Sequence, residues 1–191
     1  TTHTVTLANG SSAGTGQSSL NALVLTGTPA AGGAKTLTDG SPILTVSTGT
    51  NDPGARSISA GSTGVTLLQA NLAATGENQT VSSFQVALSG SANDSLAISA
   101  LYLIDDANNN GIADAGELAT PVAGPTTVPS DNATISFTGL TYQVASGASR
   151  DLLVVADTSV SGVQNGETIT ATITTITSTG DTSSLPSSTP G

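Results

Sequence analysis

Apolar and polar residues alternate along much of this chain with the period of two that a half-buried β-strand produces. Short clusters of Gly, Pro, Asn, Asp and Ser separate the alternating stretches and predict turns between them. The predicted strands cover residues 2–7, 20–26, 35–38, 43–47, 56–59, 65–73, 80–89, 96–104, 133–144, 150–156 and 167–178. Many short strands at this spacing predict an all-β fold.

Four of these stretches carry more specific information. Val81, Phe84, Val86 and Leu88 are core candidates of one strand. Residues 96–104 are apolar on both faces and predict a strand that is covered on both sides. A helix is the competing interpretation, and Ile98, Tyr102 and the turn residues 93–95 favour the strand. Residues 133–144 predict two strands joined by a turn at Thr138 and Gly139. The alternation in 167–178 slips between Thr174 and Thr175, which predicts a β-bulge that keeps Ile176 on the core side.

The pattern also divides the chain into three parts. Residues 1–19 comprise a terminal strand and a Gly/Ser-rich connector (9–19), which together could act as a donor strand for a neighbouring subunit. Residues 20–180 are assigned to one β-sandwich, since a chain of 191 residues can bury a core as one large sandwich; two small domains are the alternative. Residues 181–191 form a Ser/Pro-rich tail.

A twelve-residue stretch, residues 106–117, has the composition of a calcium loop. It reads Asp-Ala-Asn-Asn-Asn-Gly-Ile-Ala-Asp-Ala-Gly-Glu, with oxygen-bearing side chains at positions 1, 3, 5, 9 and 12 and glycine at position 6. A calcium ion takes six to eight oxygen ligands, and a loop of this length can surround it only if the chain turns sharply at position 6. The predicted ligands are Asp106, Asn108, Asn110, the Ile112 carbonyl, Asp114 and Glu117. The alternative is an Asn/Gly-rich turn that binds no ion.

At these residues the loop resembles those of EF-hand and dockerin modules. The wider run 81–157 resembles calcium-bearing β-sandwich domains of bacterial and archaeal surface and secreted proteins. The resemblance implies an Ig-like or jelly-roll β-sandwich with an inter-strand EF-hand-like calcium loop and Ca²⁺ as cofactor. Position 8, usually a larger apolar residue, is Ala113, and Pro121 and Pro125 exclude a long helix after the loop. We therefore expect a structural clamp between strands and not a sensor.

Composition excludes several other functions. Lys and Arg number 3 against 13 Asp and Glu, a net charge of −10, which disfavours nucleic acid as a partner. No apolar run approaches the roughly 20 residues needed to span a bilayer. The chain has no Cys or Met, and its Ser/Thr-rich surface is typical of an extracellular protein at the cell surface.

Catalytic chemistry finds little support in the sequence. The single histidine, His3, falls in a terminal strand pattern, and Asp105 beside Asp106 is expected to support the calcium loop. We expect no enzyme activity. Glycans are possible partners at Asn9, Asn78, Asn93 and Asn132, which fit the N-glycosylation pattern.

These observations favour an extracellular structural protein that self-associates into a homopolymer, as a subunit of a surface filament, a pilus or a surface layer. Strand exchange through residues 2–7 is one route of assembly, and pairing of that strand within its own domain is the other. The alternative function is a non-catalytic adhesion or carbohydrate-binding module of a larger secreted protein.

Overall fold

The computed structural model describes residues 41–187 and four two-residue strands within the first forty residues. The chain divides into two compact units, Thr1–Asp39 and Gly40–Gly191. In the first unit, β1 (Thr2–His3) pairs antiparallel with β4 (Lys35–Thr36), and β2 (Gly14–Thr15) pairs antiparallel with β3 (Ala22–Leu23). The rest of the predicted strands 2–7, 20–26 and 35–38 lies outside the described residues. The connector predicted over 9–19 contains β2. The boundary predicted after residue 19 does not coincide with the division between the two units after Asp39.

Residues 41–187, the described part of the second unit, contain eight longer strands and two single helical turns. The strands are β5 (Ile43–Thr48), β6 (Val65–Thr75), β7 (Gln79–Gly90), β8 (Ile98–Asp105), β9 (Ala123–Thr126), β10 (Thr134–Val144), β11 (Ser149–Thr158) and β12 (Ile169–Gly180). The helical turns are α1 (Asp94–Ala97) and α2 (Ala115–Leu118). One antiparallel sheet has the order β5-β6-β11-β8-β9 and the other β10-β7-β12. The predicted all-β class is confirmed.

The two sheets contribute to one apolar core. Its members come from both: Val81, Phe84, Val86 and Leu88 on β7, Ile135 and Phe137 on β10, Leu72 on β6, Leu101 and Leu103 on β8, and Leu152 and Val154 on β11. The four core candidates on β7 are therefore confirmed. Burying a side chain such as Phe84 contributes about 1.5–3 kcal/mol, and the inward positions of alternating strands supply most of this burial.

A second, smaller apolar cluster contains residues of β8 and β11 that alternate with their core-facing neighbours. It contains Ile104, Ala113, Leu153 and Val155, with Tyr102 and Leu118 packed against it. Ala113 and Leu118 come from the segment that follows β8, so that segment covers this second face. Strand β8 is thus covered on both sides, as its apolar pattern predicts.

The predicted bulge in the last strand is confirmed. Ile173 pairs with Val86 and Thr175 pairs with Gln85, which leaves Thr174 as the extra residue. Ile176 then pairs with Phe84 and lies in the core.

Three other predictions were wrong. Residues 56–59 form no strand, and the Arg56 guanidinium donates a hydrogen bond to the Thr66 carbonyl. Leu96 belongs to α1 and is 56% exposed, because a helical turn closed on the Asn93 carbonyl delays the start of β8. Residues 134–144 form one strand and not two. Gly139, with φ +70°, bends that strand through a register irregularity instead of ending it.

Candidate metal centre

The segment 106–117 begins where β8 ends, and its first residue is held firmly. The Asp106 N–H donates to the Asp151 carbonyl on β11 at 3.0 Å. The Asp106 carboxylate is 4% exposed; Oδ1 accepts from the Asn110 N–H at 3.0 Å and Oδ2 from the Gly111 N–H at 2.8 Å. These two bonds fold the segment back on its first residue, as a loop that surrounds an ion requires.

Three other predicted ligand side chains meet at one oxygen. Asp114 Oδ2 accepts from Asn108 Nδ2 at 2.8 Å and from Asn110 Nδ2 at 3.0 Å. Asn110 Oδ1 accepts from the Ile112 N–H at 2.8 Å, a local side-chain-to-backbone turn. Positions 3, 5 and 9 of the loop are therefore within contact of one another.

Glu117 closes the loop from its far end. Its Oε1 accepts from the Ala107 N–H at 2.9 Å and its Oε2 from the Asp114 N–H at 3.1 Å. Glu117 lies in α2, which has four residues, and β8 enters from the other side. The loop thus lies between a strand and a single helical turn, as the prolines at 121 and 125 predict.

The apolar residues of the loop divide between core and solvent. Ala113, at position 8, is 7% exposed and belongs to the second, smaller apolar cluster, with residues of β8 and β11. Ile112 is 57% exposed. A small side chain at position 8 therefore lets the loop lie directly on the sheet, and the loop is attached to the fold by burial as well as by hydrogen bonds.

Two residues that the sequence analysis missed contact the loop. Gln69 on β6 is fully buried, and its Nε2 donates to Asp106 Oδ2 at 2.7 Å and to Asn109 Oδ1 at 2.9 Å. Asn51 Nδ2 donates to the Asn109 carbonyl at 2.6 Å. A glutamine inside the apolar stretch 65–73 was a signal for such a role, because a buried amide needs partners.

Asp105 does not support the loop, contrary to the sequence-based expectation. Its carboxylate accepts from the Tyr142 hydroxyl and forms an ion pair with Arg150, which also lies 4.3 Å from the Tyr142 ring centroid. Burial, and next the hydrogen bond to Asp105, raise the pKa of Tyr142. Asp105 on β8 therefore connects the two sheets through Tyr142 on β10. The neighbouring Asp106 carboxylate instead binds backbone N–H groups of the loop.

The donor set of the loop fits a hard cation. Carboxylate and amide oxygens are the ligands that calcium takes, whereas zinc prefers nitrogen and sulfur. Over residues 41–187, no three His, Cys, Asp or Glu side chains cluster closely enough to hold a metal ion. In the loop, amides lie among the three carboxylates. In this structure the side-chain nitrogens of Asn108 and Asn110 face Asp114, and their oxygens accept the N–H groups of Asn110 and Ile112 at 3.2 and 2.8 Å. Both amides would have to reorient to offer oxygen to a cation beside Asp114.

An open groove lies elsewhere in the second unit. It has a volume of about 890 Å³ and is lined mainly by residues 54–60 and 163–171, including Ile58, Val163 and Ile169. It runs beside β12, which pairs with β7 on one side; on the other side, among the described residues, Thr179 forms a single bridge with Pro186. All four aromatic residues of the chain lie elsewhere, at Phe84, Tyr102, Phe137 and Tyr142.

Comparison with protein-family models, with curated proteins and with solved structures finds no match to this chain. In the described part of the chain, no helix is long and apolar enough to cross a membrane.

Proposed function

We propose that this chain is an extracellular structural protein whose Ig-like or jelly-roll β-sandwich is stabilised by a calcium ion in the loop 106–117. The observation that carries the proposal is the convergence of Asn108 and Asn110 on Asp114, in a loop that Asp106 and Glu117 close from its two ends. The Ile112 carbonyl is the sixth proposed ligand. Calcium binding would stabilise the segment that packs on β8 and β11 through Ala113 and Leu118.

The electrostatics of the loop support a role for a cation. Asp106, Asp114 and Glu117 bring three carboxylates into one short loop, and no Lys or Arg lies between residues 57 and 149. These three side chains do not form a tight cluster in this structure, and a divalent cation would offset the repulsion that opposes their approach. Extracellular calcium modules bind with Kd of about 10⁻⁴ to 10⁻³ M, which extracellular calcium concentrations satisfy.

The test compares thermal unfolding in EGTA with unfolding in calcium. At a calcium concentration of ten times Kd, the ion should add about 1.4 kcal/mol to the free energy of unfolding. For a domain of this size, we expect Tm to rise by about 3–6 °C. Magnesium at equal concentration controls for ionic strength, and isothermal titration calorimetry should give one site per chain.

Two glutamate variants make the test specific. Glu117→Ala should abolish the calcium-dependent rise in Tm. Glu167→Ala is the matched control, because Glu167 also accepts a backbone N–H in a loop but lies outside residues 106–117. A wild-type Tm that is the same in EGTA and calcium, together with no binding heat, would refute the proposal.

Assembly into a surface filament, pilus or surface layer is the second part of the proposal. Twelve of the thirteen acidic residues and two of the three basic residues follow Asp39, so the second unit carries the whole net charge of −10. The first 39 residues carry Lys35 and Asp39 and are neutral. Two acidic second units repel each other, whereas the neutral N-terminal segment can approach either without that cost.

The exposed edge of β12 supports strand exchange as the means of assembly. Residues 185–187 pair with the C-terminal end of that edge, at Ser178 to Gly180. No other described strand covers the rest of the edge, and its backbone N–H and C=O groups can bind another strand. Residues 2–7 offer alternating apolar side chains for such pairing. Thr2 and His3 pair with Thr36 and Lys35 of the same chain, so exchange would have to replace this two-residue pairing. Contact between unlike surfaces of successive copies does not close, and it produces a filament.

The groove beside β12 favours a second candidate function, a non-catalytic adhesion module. Its lining combines Ser, Thr and Gly with isolated apolar side chains such as Ile58 and Val163. Because no aromatic residue lines it, sugar rings would have no stacking surface there. Binding of soluble glycans by monomeric protein, measured on a glycan array, would favour this function over the filament.

A further inference from the structure

Gln69 is a polar side chain in a fully buried position, and each of its polar atoms has a partner. Leaving a buried amide group without a partner costs about 1–3 kcal/mol, so these partners determine where the side chain can lie. Its Oε1 accepts from the Asn51 N–H at 2.7 Å. Its Nε2 donates to Asp106 Oδ2 and Asn109 Oδ1. Gln69 is therefore a bridge between residues 49–54 and the candidate calcium loop.

The same two segments are held together by further contacts. Asn51 Nδ2 donates to the Asn109 carbonyl at 2.6 Å and lies 3.3 Å from Asn109 Oδ1. The Gly49 N–H donates to the Gln69 carbonyl at 2.8 Å, and Asp52 Oδ1 accepts from the Gln69 N–H at 2.8 Å. A Cβ atom on Gly49 would lie 2.3 Å from Gln69 Oε1, so the backbone at Gly49 packs directly on the glutamine side chain.

We propose that Gln69 is a positioning residue that couples the loop 106–117 to the connection 49–54, so that calcium binding in the loop and ordering of the connection strengthen each other. The inference rests on the proposed calcium function. A ligand carboxylate that is already oriented by a neighbouring donor loses less freedom when the ion binds. Because coupling between two events is reciprocal, calcium must stabilise the connection by the same factor by which the connection strengthens calcium binding.

This coupling reaches the groove beside β12. Asp52 and Gly54 lie at the end of the connection and line the groove. Leu68, the neighbour of Gln69 on β6, lines it as well. An ion in the loop would thus order one wall of the groove through a chain of direct contacts.

The experiment measures calcium affinity and hydrogen exchange on the same variants. In wild type, calcium should increase the protection of amides 49–54 relative to EGTA. Gln69→Leu should weaken calcium binding by about 10-fold or more, the range found when a residue that orients a metal ligand is removed. Calcium should then protect residues 49–54 less.

Two further variants separate coupling from a general loss of stability. Gln79→Leu is the matched control, since Gln79 is also fully buried but lies on β7 and accepts a hydrogen bond from Ser187. Gln79 Nε2 has no hydrogen-bond partner among the described residues, unlike Gln69 Nε2, and Gln79→Leu should leave the calcium affinity unchanged whatever its effect on Tm. Asn51→Ala removes an exposed side chain, so the variant should still fold. It should weaken calcium binding several-fold, and it therefore tests the coupling if Gln69→Leu fails to fold.

The outcomes distinguish the two proposals. A wild-type chain that binds no calcium overturns the proposed function. A wild-type chain that binds calcium, with unchanged affinity in Gln69→Leu and Asn51→Ala, overturns the coupling alone. Equal losses of affinity in Gln69→Leu and Gln79→Leu would also overturn it, because the effect would then come from stability.

Discussion

Two glycines of the candidate loop, Gly111 and Gly116, differ in what their backbone and surroundings allow. Gly111 has φ +74°, in the left-handed region that side chains disfavour, and a Cβ atom there would lie 2.0 Å from the Asn51 carbonyl oxygen. Gly116 has no atom within 4 Å of the position its Cβ would take, and it lies in α2. The sequence motif marks position 6 for its sharp turn, and the fold adds the close approach of Asn51.

At this scale we predict opposite effects of the same substitution. Gly111→Ala should lower the free energy of unfolding by about 2 kcal/mol or more, because a left-handed alanine costs about 1–2 kcal/mol and the contact with Asn51 must open in addition. Gly116→Ala should be neutral or raise it by up to about 1 kcal/mol, since alanine is the better helix former. Urea unfolding in EGTA measures both without the ion. Equal effects would contradict the prediction.

At the scale of elements, Tyr142 connects one sheet to the other. It lies on β10 of the three-stranded sheet, and its hydroxyl donates to Asp105 on β8 of the five-stranded sheet. Arg150 on β11 pairs with the same carboxylate and covers the tyrosine ring. Burial of the ring and the hydrogen bond to Asp105 both favour the protonated phenol, which is why its pKa is raised.

This raised pKa predicts alkaline sensitivity. Tyrosine in the unfolded chain loses its proton near pH 10, whereas folded Tyr142 keeps it, so the stabilisation is complete below about pH 10 and is lost as pH rises above it. The free energy of unfolding should fall by up to about 1.4 kcal/mol per pH unit from this one group. Urea unfolding between pH 8 and 11.5 measures the slope.

The matched variants are Tyr142→Phe and Tyr102→Phe. Tyr142→Phe should be less stable at pH 8, because it loses a buried hydrogen bond, and should show a shallower decline above pH 10. The pKa of Tyr102 is also raised, by burial first and then by its hydrogen bond to Asp157. Tyr102→Phe should therefore remove only the part of the decline above pH 10 that comes from Tyr102. Parallel curves for wild type and Tyr142→Phe would show that Tyr142 does not titrate differently on folding.

At the scale of the whole molecule, the charge is unevenly distributed between the two compact units. The neutral residues 1–39 precede a second unit that holds the entire net charge of −10. For a filament subunit, this distribution disfavours contact between second units of different copies and favours contact through the N-terminal segment.

Deletion of residues 1–8 tests this mode of assembly. Wild type should form polymers that sediment rapidly and are visible by electron microscopy, and the deletion should stay monomeric with its calcium-dependent Tm unchanged. Val5→Ser with Leu7→Ser should act like the deletion, since it removes the apolar side of the alternating strand and keeps its length. Thr4→Ser with Thr6→Ser is the control. A wild-type chain that remains monomeric at high concentration would exclude filament assembly.

The sequence by itself determined the features that depend on local patterns. Alternating core candidates predicted the strand at 80–89, because the side chains of a strand alternate between its faces. A continuous apolar run, residues 152–155, predicted a buried strand at 150–156. The slip beside Thr174 predicted a bulge, since an unbroken strand would turn Ile176 away from the core. The composition of residues 106–117 predicted a turn rich in polar side chains, and Asn108, Asn110 and Asp114 contact one another there because all three belong to one short loop; that the loop binds calcium remains a prediction.

Only the tertiary structure decided the features that depend on contacts distant in sequence. The residues at 56–59 have the pattern of a strand but pair with no described strand. A strand forms only where interstrand hydrogen bonds can be made. Gly139 had the signature of a turn, yet pairing with β7 on both sides of it kept β10 a single strand. Gln69 and Asn51 lie 37 and 58 positions from their partners in the loop, and no local pattern encodes such distances. Their role follows from burial, which forces a polar side chain to find partners wherever the fold brings them.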